Sequence, residues 1–254
     1  MKNHIIDTLG LNVARHTTGF NMGLTGLAAS VVYGAAPTAP STLSQYTREG
    51  LSAQAGYLTA LAAVIDLALR DVVAAAAEHA GASPDTGAII GSEFVRQERA
   101  ELLGALSALA QKNAATAARR VRDFVTRVDL AVMAGRNTMS GALVAARIVE
   151  GQAPVSFRVL DTLGRKWKTT DYAAALVKGA MQGIYANTFA TIAAEAGVDL
   201  VEVIYPDEVH DNHGLLVSLS GAKGRLGFMS VRDEIFHPNS EAQLRPYGGD
   251  DVPA

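Results

Sequence analysis

Three histidines raise the question of chemistry. His210 and His213 are separated by Asp211 and Asn212, with Asp207 and Glu208 just before them, and His237 follows later in the run F-H-P-N. Imidazole and carboxylate are zinc ligands, and three histidines could hold the metal with a fourth position open for an activated water. On that reading the chain is a metal-dependent hydrolase built on His210, His213 and His237. Pro206 and Gly214 place the first pair on a loop, and no H-E-x-x-H helix is present. The alternative reading is structural. Pro238 fixes its own φ and biases His237 toward extended backbone, and Asn239 can close a turn on its own backbone. His237 then projects from a rigid stem, which suits a base and a structural hydrogen bond equally.

Other chemistries have less support. The chain has no cysteine, which removes disulfides, thiolate nucleophiles and cysteine-ligated zinc. No G-x-S-x-G elbow occurs. The glycine-bearing G-A-K-G-R-L-G loop lacks the ending and the strand-to-helix setting of a phosphate cradle. Carboxylates are plentiful, but nothing selects one pair for general acid and base work. No cofactor is expected.

The elements that would position these residues read from composition and periodicity. Of 254 residues 49% are hydrophobic but only 6% aromatic, with a single tryptophan, a balance that favours closely packed alanine-rich helices. Residues 1–44, with Gly10, Gly19, Gly23, Gly26 and Gly34 followed by A-P-T-A-P-S-T, read as an extended arm ordered by a partner. Within it, residues 24–39 are apolar with an A-x-A-like end, yet they start late for a secretory signal and are read as part of the arm. No stretch is long and apolar enough to cross a bilayer.

Residues 45–151 read as a helical domain. Leu58, Leu61, Ile65, Leu69 and Val72 predict a helix over 51–79, stopped at Gly81. A second helix is predicted over 92–111 with Ser92 as N-cap, a third over 114–133, and a short one over 140–149. The third carries Val121, Phe124, Val125, Val128 and Val132 on one side and Arg119, Arg120, Arg122 and Arg127 elsewhere. Those arginines are either a contact for DNA or an acidic partner, or a solvated face with Asp123 and Asp129 interleaved. A net charge of -3 gives no global field toward nucleic acid, so any such role is local.

Residues 152–247 read as α+β: a hairpin, a helix from Asp171 or Tyr172 to about Ala196 capped by Thr169 or Thr170, then strands over 198–205 and 214–221. Residues 248–254 read as a loose tail. The fold expected is therefore α+β, with helical hairpins after the arm and one long helix on a small C-terminal sheet.

Several motifs occur in a specific order. D-x2-G-R-x-W supplies Asp161, Gly164, Arg165 and Trp167, and Tyr172 begins the next helix. A-G-V-D-L-V-E-V, G-x3-S-L-S-G and the closing His237, Pro238 and Asn239 follow. In this order they resemble the C-terminal domain of tailed-phage minor capsid proteins, the Mu F-like head-morphogenesis family, over residues 157–247. Members of that family usually carry cysteines after the V-D-L-V-E-V strand and directly after H-P-N. Here the first loop reads P-D-E-V-H-D-N-H-G and Ser240 follows Asn239, so only the shape of the domain carries over. The resemblance implies a structural virion component, inside the head near the portal, present in multiple copies and aiding assembly or genome delivery. The partners implied are the portal protein and the inner capsid, with packaged DNA reached through the arginines of the third helix. On this reading the motif residues define the fold and are not catalytic. A high-copy coat subunit is the third reading.

Overall fold

The computed structural model describes residues 2–34, 39–82, 85–133 and 155–248. The chain is α+β, mostly helical with small antiparallel sheets toward its C-terminal end. In order it forms α1 (Lys2–Gly34), α2 (Ala39–His79), α3 (Thr86–Ile90), α4 (Glu93–Met133), β1 (Arg158–Leu160), β2 (Lys166–Lys168) and α5 (Thr169–Glu195). β3 (Leu200–Ile204), β4 (Leu216–Ser218), α6 (Phe228–Ile235) and β5 (Gln243–Pro246) follow. These elements group into two compact units, each assembled from pieces distant in sequence.

The first unit comprises Met1–Val13, Ala63–Leu103 and Ala174–Ala254. It holds a three-stranded antiparallel sheet in the order β4-β3-β5. β3 alternates as a half-buried strand should, with Val201 and Val203 buried and facing Val217 and Leu244 in register. On its other face Glu202 pairs with Arg245, its cross-strand neighbour. β5 is an edge strand, which is why it can end on Pro246. The buried side of α5 carries Val177, Met181, Ile184, Tyr185, Phe189 and Ile192, the stripe its spacing predicts. Two helix stops also fall where expected: α2 ends at Gly81 and α5 at Gly197, both with left-handed φ, at 72° and 76°. In each case the next amide bonds five residues back, Ala82 to Ala77 and Val198 to Ala193.

The second unit comprises Ala14–Ala62 and Gly104–Ala173. Its core takes Phe20 and Leu24 from α1, Tyr46 and Tyr57 from α2, and Leu106, Val121 and Phe124 from α4. The Phe20 and Tyr57 rings stack 4.6 Å apart, and Tyr57 shares a hydrogen bond of 2.9 Å with Thr17. Beside them lies a buried polar trio. Asn113 donates to Asn21 Oδ1 at 2.8 Å and to Thr169 Oγ1 at 3.2 Å, and Asn21 Nδ2 donates to the same hydroxyl at 3.1 Å. β1 and β2 pair as a two-stranded sheet of their own.

Two expectations change, and two elements appear that the sequence reading did not assign. Residues 1–44 do not form an extended arm: Lys2–Gly34 is helical. The physical reason is burial. Ile6, Leu9, Val13, Thr17, Phe20, Leu24 and Ala28 recur at steps of three and four and are all buried, which outweighs the roughly 1 kcal/mol that each helical glycine costs. Gly10 has a packing role, since a Cβ there would lie 2.6 Å from Lys178 Cε. Next, the helices predicted over 92–111 and 114–133 are one helix, α4. Asn113 looks like a break, but its amide is satisfied by Asn21 and Thr169, so the helix runs through it. Ser92 caps α4 as expected, accepting from Val95 N–H at 3.4 Å. Finally, residues 228–235 are a helix, and β5 has no counterpart in the sequence reading. The short helix predicted over 140–149, the boundary near 151–154 and nearly all of the tail lie outside the described residues.

The polar trio gives a test of the second unit. Asn113→Ala strips Asn21 Oδ1 of its donor and opens a small void. Urea denaturation should show a loss of about 2–3 kcal/mol, against less than about 0.5 for the exposed control Lys112→Ala.

Candidate functional site

The histidines are engaged in local backbone contacts. The His210 ring stacks on Tyr205 at 3.6 Å and 7°, and its Nδ1 accepts from Asn212 N–H at 3.1 Å. His213 Nδ1 lies 3.2 Å from the amide nitrogen and 3.0 Å from the carbonyl oxygen of Tyr205. His237 is exposed, and its Nδ1 accepts from Asn239 N–H at 3.3 Å while its carbonyl accepts from Ser240 N–H at 2.9 Å. Among the described residues no group of three or more His, Asp or Glu side chains is placed to hold a metal ion. The structure therefore does not assemble His210, His213 and His237 into one site. His210 and His237 each accept from the amide two residues on, whereas His213 meets the backbone of Tyr205, eight residues back.

The D-x2-G-R-x-W residues do come together. Asp161 is the hub of the β1–β2 turn. One carboxylate oxygen accepts from Leu163 N–H at 3.0 Å and Arg165 N–H at 2.8 Å. The other accepts from Arg165 Nε at 2.7 Å and Trp167 Nε1 at 3.0 Å. Gly164 has φ +77°, which lets the chain turn back tightly enough for all four donors to reach. Desolvation pushes the Asp161 carboxyl up, but the bonds from Arg165 and Trp167 overcome it and hold the group down at about 2. The Trp167 and Tyr172 rings meet edge to face at 6.2 Å. The constellation fixes a ribbon and leaves no acceptor free for chemistry.

The F-H-P-N closure works differently, through residues the sequence did not single out. Lys2 is fully buried. Its ammonium donates to Gln182 Oε1 at 2.8 Å and to the Ala242 carbonyl, and sits 4.4 Å above the Tyr185 ring with Phe236 beyond. Gln182 Nε2 in turn donates to the Ser240 carbonyl at 2.6 Å. Tyr185 accepts from Leu244 N–H at 3.2 Å and pairs with His79 Nδ1 at 2.7 Å. Pro238 packs over Gly179, where a Cβ would come within 3.2 Å of its ring. Burial pushes the Lys2 ammonium down to about 7, against the opposing pull of Glu241. No local pattern announces this cluster, because its partners lie as far as 240 residues apart.

Two further surfaces are present. Arg119, Arg122 and Arg127 are exposed along α4, with Arg120 half-buried and Asp123 among them. In the first unit, a groove of about 870 Å³ is walled by Ile89, Phe94, Val95, Ala190, Phe228 and Met229, and the buried Thr188 hydroxyl beside it has no partner among the described residues. Its lining is mainly apolar, with Asp85, Asn187, Glu195 and Arg232 also at the wall. Comparison of the chain with protein-family models, curated proteins and solved structures finds no match.

The Lys2 and Asp161 arrangements both predict a pH dependence. Folded Lys2 releases its proton near 7, whereas the unfolded chain keeps it to about 10.5. The unfolded state binds more protons between those values, so stability should rise as pH goes from 7 to 10.5. Chemical denaturation across that range should show the rise, and Lys2→Met should flatten it. Asp161 has the same sense in a lower window, its carboxyl held near 2 when folded against 3.8 unfolded. Its contribution is present above about 3.8 and lost as pH falls toward 2. Emission of Trp167, the sole tryptophan, should change near pH 2 rather than 4, and Asp161→Asn should abolish that step.

Proposed function

We propose that this protein is a structural minor capsid and head-morphogenesis protein of a tailed phage, without catalytic activity. It sits inside the head near the portal, contacts the portal protein or inner capsid wall in multiple copies, and aids assembly or genome delivery. Assembly takes place in the host cytoplasm. One observation carries the reading: the residues that make up the ordered motif series serve the fold. Asp161 uses its carboxylate on the ribbon's own donors, and His237 uses its imidazole on the next turn. A shared sequence pattern that encodes shape supports a shared architectural role better than a shared reaction. The α+β arrangement of the chain is compatible with the same role.

Quantitative mass spectrometry of purified particles of the encoding phage, with metal analysis of the recombinant chain, tests the proposal. A few copies per particle and no bound metal are expected. Coat-like abundance would move the protein to the third reading. Absence from particles together with stoichiometric zinc would overturn the proposal in favour of the hydrolase.

A further inference from the structure

The β1–β2 ribbon carries an unusual arrangement of charge. In its register Arg158 faces Lys168, Val159 faces Trp167, and Leu160 faces Lys166. Side chains alternate across a strand, so Arg158, Lys166 and Lys168 share one face, opposite the buried Val159. All three are exposed. Arg158 donates to Ser156 Oγ at 3.1 Å, and among the described residues no carboxylate pairs with Arg158, Lys166 or Lys168. Of the two carboxylates between Phe157 and Tyr172, Asp161 is held by the turn and Asp171 lies in the first turn of α5. Like charges directly opposite each other disfavour strand pairing. The ribbon nevertheless sets Arg158 directly across from Lys168, a pairing that places Cβ atoms about 5 Å apart, and adds Lys166 roughly 6.7 Å along the strand. Arg165 adds a fourth at the turn, its charge shared with Asp161.

We propose that the outward face of this ribbon binds the phosphate backbone of double-stranded DNA, without reading its sequence. Three features select DNA. The cations form a closely spaced row, which matches a polymer of repeating negative charge better than a single carboxylate. The sheet has only two strands, and a two-stranded ribbon is narrow enough to enter or bridge a duplex groove about 12 Å wide. Arg158 and Lys168 are like charges at directly opposed positions, and a polyanion laid over them would be attracted by both at once. The inference stands apart from the assembly proposal, since DNA binding by the purified chain and its presence in particles are separate measurements.

Fluorescence anisotropy of a labelled mixed-sequence duplex, titrated with the full chain from about 50 to about 200 mM salt, tests it. The parent should bind, with affinity falling steeply as salt rises. Arg158→Gln, Lys166→Gln and Lys168→Gln together should weaken binding at least tenfold at the lowest salt. They should lower the salt slope by about 2 to 3, with circular dichroism and Trp167 emission unchanged. Lys166→Gln alone should lower the slope by about 1. The helix variant Arg119→Gln, Arg122→Gln, Arg127→Gln should retain most of the binding. No binding by the parent, or ribbon variants that bind as the parent does, would overturn the proposal. So would displacement by poly-glutamate as effectively as by unlabelled duplex, which would point to an acidic protein.

Discussion

A buried ammonium needs several acceptors at once, and the first unit is arranged around meeting that need for Lys2. Removing a lysine from water is unfavourable by several kcal/mol unless carbonyls and aromatic faces replace its hydration. Here a glutamine oxygen, a backbone carbonyl and the faces of two aromatic rings do so. Gln182 reaches Lys2 with its oxygen and the Ser240 carbonyl with its nitrogen, so one amide ties α1 and the C-terminal closure to α5. Tyr185 extends the network to His79 and to the β5 backbone. The pull on Lys2 to lose its proton follows from the same burial that gives the cluster its reach.

The second unit solves a similar problem without a buried charge. Two asparagine amides and one threonine hydroxyl satisfy one another in its interior, and the stacked Phe20 and Tyr57 lie in the same core. A buried network of this kind constrains packing more tightly than apolar contact does, because a shift leaves a polar atom unpaired. On its surface the ribbon gathers charge, where Asp161 fixes the turn and leaves the cations of the outer face exposed. Rigidity at the turn and charge on the outer face are complementary, since a preorganised ribbon loses little freedom on meeting a partner.

The D-x2-G-R-x-W and F-H-P-N motifs thus reach their common architectural use by different means. The first is local: every donor to Asp161 lies within six residues of it. The second has a local turn at His237, but its anchorage comes from α1 and α5. The histidine loop after β3 is likewise held by its own backbone and by Tyr205. In all three histidines the short-range contact is made through Nδ1.

What the sequence determined by itself was whatever depends on near neighbours. The buried stripe of α5, the caps and stops at Ser92, Gly81 and Gly197, the alternation of β3 and the Asp161 ribbon all follow from contacts within a few residues, which spacing and residue type record directly. The tertiary structure decided the rest. Lys2–Gly34 has a buried stripe but also glycines that favour other conformations, and only the neighbours that bury Ile6, Val13, Phe20 and Leu24 make helix the lower state. Asn113 marks a break until Asn21 and Thr169 satisfy it. Lys2 reads as an ordinary surface lysine until Gln182 and Ala242 are brought to it across most of the chain. Hydrogen bonding and burial between distant residues carry no spacing that a sequence can show, so these outcomes became visible only when the chain was folded.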